Sequence, residues 1–336
     1  MLAYMARPML LAAFTVWVIS ILSFFIIQLP EGDSASKHID RLMMAGDSVS
    51  MQMVDNLRDY LGLNKPMYRQ YGIWMWNLLN GDLGRSYQFF CSSQATERPV
   101  KRIIGDRIWT TVILTGFTVL VTWTFAIPVG IYSAVRQHSV GDYVFSFLGF
   151  TGLAVPDFLL GLVLMYLAFA YFDQSVGGLF SAEYQDASWG LSKIWDMFKH
   201  LWIPAAVLGT AGTAGLIRVM RNNLLDELGK PYVVTARARG MTAWKVIVKY
   251  PVRVAINPLV STVGYLLPAL VSGSVIVSVV LSLPTLGPVL LDSIIQQDAY
   301  TAGFIVLMLG VLTVIGTLVS DILLAIVDPR IKYSGK

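Results

Sequence analysis

The sequence is poor in charge, poor in histidine and almost without cysteine. Of 336 residues only 14% are Asp, Glu, Lys or Arg, against about 25% in an ordinary soluble domain. With 55% apolar residues, that shortage excludes a water-soluble globular enzyme and a disordered chain. The single cysteine, Cys91, excludes an internal disulfide and any cysteine-based metal cluster. Three histidines, His38, His138 and His200, show no metal-ligand or general-base spacing. A phosphate-cradling Gly-x-x-x-x-Gly-Lys-Ser/Thr loop is missing too, since Gly229-Lys230 has neither the upstream glycine nor the following hydroxyl. The expectation is a chain with no catalytic or metal site that binds no cofactor itself.

What the chain does have is apolar length. Its mean hydropathy is +0.62, and its 25 basic and 21 acidic residues are bunched. Nineteen charges lie between Glu31 and Arg107 and ten between Arg218 and Arg253. A membrane-crossing helix needs about 20 mostly apolar residues. Six stretches qualify, at about 9–29, 108–135, 143–172, 201–217, 258–283 and 299–320. The first is too long for a secretory signal core and reads as a retained helix, although Ser34 and Ala35 make a weak cleavage-like site. The fold class is therefore all-α, a polytopic membrane protein with six transmembrane helices in the lipid bilayer.

Orientation follows from Lys and Arg in short loops. With the N-terminus inside, segments 1–8, 136–142, 218–253 and 328–336 carry thirteen basic residues, and the short outer loops 173–200 and 284–298 carry two. Both termini are expected in the cytoplasm. The basic balance belongs to topology and argues against nucleic acid as a partner. The domain reading is 1–30 for tail and first helix, 31–107 for an extracytoplasmic region, 108–327 for the core with a cytoplasmic loop at 218–258, and 328–336 for the tail.

Region 31–107 is long enough to hold structure. Ser50 can cap a helix over 51–62. Pro66 suits the first turn of a second helix carrying Tyr68, Tyr71, Trp74 and Trp76 and stopping at Gly81. Such aromatics settle at a membrane interface; a docking surface for an external partner is the other reading.

The segment 218–258 is more informative. Pro231 fits the opening of a helix and Gly240 its end, leaving two to three turns. Thr235, Ala236 and Ala238 give it a narrow face, flanked by Arg237 and Arg239, that another protein could approach closely. Taken by composition alone, the same loop could merely enforce topology or touch anionic lipid.

The run Tyr232-Val-Val-Thr-Ala-Arg-Ala-Arg-Gly240, with eighteen residues from Gly240 to Pro258, resembles the EAA loop of the oligopeptide/dipeptide permease family of ABC importers. Leu29-Pro-Glu-Gly-Asp33, Gly81-Asp-Leu-Gly-Arg-Ser86, Ser282-Leu-Pro-Thr-Leu-Gly287, Asp298-Ala-Tyr300 and Asp328-Pro-Arg-Ile-Lys-Tyr333 resemble further motifs of that family, in the same order. Tyr250-Pro251, Val254, Ser278 and Thr285 depart from its common His-Ala, Asn, Glu and Gly. The combination of Lys249-Tyr-Pro-Val-Arg-Val-Ala-Ile-Asn-Pro258 with Leu283-Pro-Thr-Leu-Gly-Pro288 looks like a branch of the family that includes importers of oligosaccharides as well as peptides.

The resemblance implies a permease subunit in a bacterial inner membrane that imports peptides, with oligosaccharides as the alternative cargo. It implies a second homologous permease, two ATPases that use ATP and Mg, and an extracytoplasmic substrate-binding protein. By the same resemblance Tyr232, Thr235, Ala236, Arg237, Ala238 and Gly240 form the helix that couples the ATPase to the membrane. Small side chains and a terminal glycine agree with close docking.

Inside the spans, Asp157 is the one clearly central charge, too costly to face lipid. It lines a pathway or bonds a neighbouring helix. Gly209, Gly212 and Gly215, with Ala211 and Ala214, suit close helix packing. Ser272, Gly273, Ser274 and Ser278 stand where the family lines its pathway. A secondary transporter is disfavoured because it normally carries charges in several spans. An intramembrane enzyme is disfavoured because no nucleophile–base pair stands out.

Overall fold

Prolines, and the residues before them, set where several helices start and stop. A computed structural model describes residues 2–28, 64–86, 98–172, 177–262 except 186 and 189, 275–296 and 298–327, with isolated positions at 43, 52, 55, 58 and 59. The expected helix over 51–62, the Leu29–Asp33 and Asp328–Tyr333 motifs, and Ser272, Gly273 and Ser274 lie wholly or mostly outside the described residues. The described residues are almost entirely helical. In chain order the helices are α1 (Leu2–Ile27), α2 (Met67–Leu79), α3 (Val100–Val135), α4 (Val140–Ala154), α5 (Asp157–Phe172) and α6 (Leu191–Leu228). They continue as α7 (Pro231–Ala238), α8 (Ala243–Lys249), α9 (Pro251–Ala255), α10 (Val275–Val280), α11 (Leu286–Ile295) and α12 (Ala299–Val327). Arg85–Ser86 (β1) and Arg98–Pro99 (β2) form a two-residue antiparallel ribbon.

Three helices, α3, α6 and residues 300–324 of α12, are long and apolar enough to cross a membrane. They match the expected second, fourth and sixth spans. The expected first span, 9–29, falls mostly within α1. The expected third span is not one straight helix. It is α4 and α5, bent by 104° at a short break. Val155 is extended (φ −81°, ψ 126°), because the ring of a following proline excludes the helical region. Asp157 therefore sits at the start of α5, not mid-helix. The expected fifth span crosses residues 263–274, which are not described.

The fourth span is longer than hydropathy suggested. At 1.5 Å per residue, the 38 residues of α6 extend roughly 57 Å, about twice the hydrocarbon thickness. The ends of the expected loops 173–200 and 218–253 are thus turns of one rod. Its first turns bury Lys193, Asp196 and His200. Lys193 Nζ donates to the carbonyls of Gln185 (3.1 Å) and Ala187 (2.6 Å). Asp196 accepts from the Ser181 backbone N–H and hydroxyl, both at 2.7 Å. These bonds tie Ser181, Gln185 and Ala187 of the preceding segment to the first turns of α6.

The chain divides into two units, residues 1–111 with 285–314 and residues 112–284 with 315–336. In the first, Phe24, Trp74 and Leu307 are buried with Val16, Tyr71, Met75, Leu78 and Tyr300 around them. Tyr71 and Trp74 of α2 are therefore core residues against α1, and the Tyr71 hydroxyl shares a 2.8 Å hydrogen bond with Ser20. Tyr68 and Trp76 remain exposed. In the second unit α6 is the hub. α4 and α5 both pack along it, and one cluster joins Leu201 and Val207 of α6 to Val277 of α10 and Ala168 of α5. The small face behaves as expected at two positions. A Cβ on Gly209 would stand 3.0 Å from Thr122 Oγ1 of α3, and Ala214 meets Gly149 of α4. Gly215 faces open space.

Candidate functional site

The short helix α7 is built by its ends. Lys230 is extended (φ −71°, ψ 148°), as the residue before a proline must be, and Pro231 occupies the first helical turn. After Arg239 the chain leaves through Gly240 at φ +76°, a left-handed conformation that glycine adopts without steric penalty. The Gly240 N–H donates to the Arg237 carbonyl at 3.0 Å. The helix opens at Pro231 as expected and ends at Ala238, two residues before Gly240, where the chain turns away.

Its orientation is set on two sides. Toward α6, Glu227 accepts from the Tyr232 hydroxyl and pairs with Lys230 Nζ at 3.0 Å. Toward α8, Val233 and Ala236 are buried with Val246, Met241 and Tyr250. Ala236 therefore does not belong to an outward face with Thr235 and Ala238. Its side chain is the small contact that lets α7 and α8 close on each other. Thr235, Arg237, Ala238, Arg239 and Gly240 are exposed, and Tyr232 is partly so while tied to Glu227. Among the described residues a Cβ built on Gly240 meets nothing within 4 Å, so what they ask of the glycine is its backbone angle.

A feature not anticipated lies at the other end of the α3–α4 turn. Arg221 of α6 grips Asp142 of α4 with two hydrogen bonds, Nε to Oδ1 and Nη2 to Oδ2, each 3.0 Å. Asp142 is buried and also accepts from the His138 backbone N–H at 3.0 Å. Ser139 caps α4 by accepting from the Asp142 N–H. Bidentate pairs of this kind fix direction as well as distance. They tie residues 138–142 to the same rod that leads into α7. The spacing Ser139-x-x-Asp142 was a readable capping signal; that Arg221 would answer it was not readable.

The residues considered for a pathway separate. Asp157 is partly exposed at the start of α5. Ser278 of α10 is fully buried, and its carbonyl accepts from the Leu283 N–H at 2.8 Å. Two motifs far apart in sequence do meet, in the first unit. Ser86 Oγ donates to Asp298 Oδ2 at 2.5 Å, across 212 residues. Asp298 caps α12 by accepting from the Thr301 backbone N–H (3.2 Å) and hydroxyl (2.7 Å). Burial pushes its carboxyl above the usual range, against the pull of these donors. Gly84, at φ +77°, leaves room for the Tyr300 ring, which a Cβ would approach to 2.7 Å.

In the second unit α4 and α5 pack along α6, which ends in a short exposed helix, and three helices are long and apolar enough to cross a membrane; this is the make-up of a membrane permease. The chain belongs to the family described as binding-protein-dependent transport system inner membrane component, which matches residues 126–333. The N-terminal membrane component of the same systems matches residues 1–115. The chain is 34% identical over 336 residues to an oligopeptide transport system permease protein of Bacillus subtilis, covering 99% of this chain and 100% of that one. It is 31% identical over 334 residues to a putative peptide permease protein of Brucella ovis, covering 99% and 100%. Against the dipeptide transport system permease protein of Escherichia coli the identity is 29% over 350 residues, covering 99% of each. The family resemblance read from the motifs is thereby borne out. The chain is a multi-pass permease subunit of an ABC importer, a membrane component that is not itself the catalytic one and works with ATPase and substrate-binding partners.

Proposed function

We propose that this chain carries peptides across a bacterial inner membrane, crossing it six times with both termini in the cytoplasm. It pairs with a second homologous permease, receives peptides from an extracytoplasmic binding protein, and is driven by two ATPases that use ATP and Mg. The peptide cargo rests on the names of the relatives and on the motifs; oligosaccharide is the alternative that the departures at Tyr250-Pro251 and Val254 raise. A screen of the partner binding protein against peptides and oligosaccharides decides it. Selective oligosaccharide binding overturns the peptide reading.

The observation that carries the mechanism is α7, held at the end of α6 by Glu227 and closed by Gly240 with empty space beyond it. In this reading Tyr232, Thr235, Arg237, Ala238 and Gly240 meet the ATPase, and Ala236 supports them from behind. Closure of the ATPases displaces α7, and α6 transmits the displacement along its length. Asp157, Ser272, Gly273, Ser274 and Ser278 line the path in other states of the cycle. In Gly240→Trp the complex is expected to assemble while ATP hydrolysis and uptake become uncoupled. Unimpaired uptake by this variant sinks the coupling assignment. For the path, Asp157→Asn with normal expression and uptake would show that the charge plays no part.

A further inference from the structure

The outer part of α1 carries a stripe that is not wholly apolar. Ser20, Phe24 and Gln28 follow one another at four-residue spacing along one side, and α2 answers both polar members. The Ser20 hydroxyl donates to the Trp17 carbonyl at 2.7 Å, so the Tyr71 hydroxyl is the donor in its 2.8 Å bond to Ser20. Gln28 Nε2 donates to Gln70 Oε1 at 3.2 Å. Between them the Phe24 ring meets the rings of Tyr71 and Trp74, each with centroids 5.6 Å apart, and Leu307 of α12 joins the cluster. Ser20 lies nine residues inside the outer end of the expected first span, 9–29, and Leu307 eight inside that of the sixth, 299–320. At 1.5 Å per residue, that is a depth of roughly 12–14 Å. α2 therefore packs on the flank of α1, not on its end. Its far side is mostly apolar: Trp76 is 67% exposed and Leu79 74%, with Tyr68 and Ile73 exposed beside them. Arg69 is the one charge in the helix.

We propose that α2 is embedded in the outer leaflet of the bilayer, with Tyr68, Trp76 and Leu79 in contact with phospholipid. This rests on the reading that α1 crosses the membrane. A helix laid against a span at this depth turns its far side to lipid. That side has the composition lipid favours: aromatic rings for the interface, aliphatic side chains for the acyl chains, and an arginine whose apolar stem lets the guanidinium reach the phosphates. The embedding also has a reason within the chain. A hydroxyl and an amide left facing hydrocarbon without partners are costly, and α2 supplies those partners to α1. At α2 the expected extracytoplasmic region 31–107 dips back into the membrane.

The test uses the complete complex in phospholipid vesicles with its binding protein present. A photoreactive benzophenone amino acid is placed at position 76 in one preparation and at position 22, on the exposed side of α1, in another. Both are expected to cross-link to phospholipid. If 22 reaches lipid while 76 reaches the binding protein, the second permease or nothing, the embedding of α2 is overturned and α1 stands as a span. Failure of 22 to reach lipid overturns the reading of α1 and the proposal with it. Trp76→Asp is expected to lower the amount of assembled complex in the membrane about threefold, because a carboxylate is costly against lipid, and Trp76→Leu to leave it near wild type. An undiminished amount in Trp76→Asp also overturns the proposal.

Discussion

Two glycine-containing motifs of this chain have nearly the same backbone and opposite surroundings. Gly84, at φ +77°, is pressed against the Tyr300 ring, and two residues on Ser86 is buried on Asp298. Gly240, at φ +76°, has open space around its Cα, and the helix before it shows most of its side chains to solvent. The first motif spends its residues on the fold: it fastens the β1–β2 ribbon to the start of α12. The second leaves most of its side chains exposed and is held from behind by Glu227 and by Val233 and Ala236. A short motif thus marks a constrained stretch of backbone, and what an added Cβ would meet tells whether the constraint comes from inside the chain.

The largest break in this comparison is expected at Asp298. Asp298→Ala removes the cap of α12, worth about 1 kcal/mol, and leaves the buried hydroxyls of Ser86 and Thr301 without their acceptor, at about 1–3 kcal/mol more. A loss of about 3 kcal/mol is expected, read as a lowered melting temperature of the purified complex in detergent. Asp298→Asn is expected to retain most of the stability, since an amide oxygen still caps. The pH dependence has a defined sign. Burial raises the folded pKa of Asp298 above its unfolded value. Its contribution is therefore fully present below the unfolded value of about 3.9 and declines as pH rises through the folded value. A wild-type stability slope in that window that Asp298→Asn does not reduce would contradict this.

Next in size is the grip of Arg221 on Asp142. Asp142→Ala leaves a partly buried guanidinium without its carboxylate, at about 3 kcal/mol where such a pair is fully buried and less here, because Arg221 retains some access to water. About 2 kcal/mol is expected from thermal unfolding of the purified subunit pair. Loss of transport without loss of stability would mean that the pair acts in the cycle and not in holding α4 to α6.

These residues also show how far sequence reaches. The bounds of α7 were legible because Pro231 and Gly240 act locally, through φ. The break at Val155-Pro156 was equally local, but the apolar run around it masked the proline signal, and Asp157 was placed mid-span. The length of α6 was hidden for the opposite reason. Hydropathy falls at Arg218, while backbone hydrogen bonding continues through Leu224 to Leu228, where Met220 and Leu224 are buried. The inward turn of Ala236 depends on α8 packing behind it, and the pairings Ser86–Asp298 and Asp142–Arg221 join residues 212 and 79 apart. A carboxylate in a sequence advertises that it needs donors, but only the fold says which ones it finds.

The two glycines themselves give the smallest and sharpest contrast. Gly84→Ala places a Cβ 2.7 Å from Tyr300 Cδ1, so the ring must move in addition to the left-handed penalty of about 1–2 kcal/mol; about 2 kcal/mol in total is expected. Gly240→Ala carries the backbone penalty alone, because its Cβ meets nothing, and about 1 kcal/mol is expected. Their order reverses in transport. Gly84→Ala lowers uptake only as far as it lowers the amount of folded complex. If α7 docks the ATPase as proposed, Gly240→Ala is expected to leave that amount nearly unchanged and to lower uptake per complex, since the methyl group enters the proposed contact surface. Gly240→Asn separates the two effects, because asparagine tolerates the left-handed angle but brings still more bulk. If Gly240→Asn transports as well as wild type, the space beside Gly240 is not an interface, and the glycine serves the turn alone.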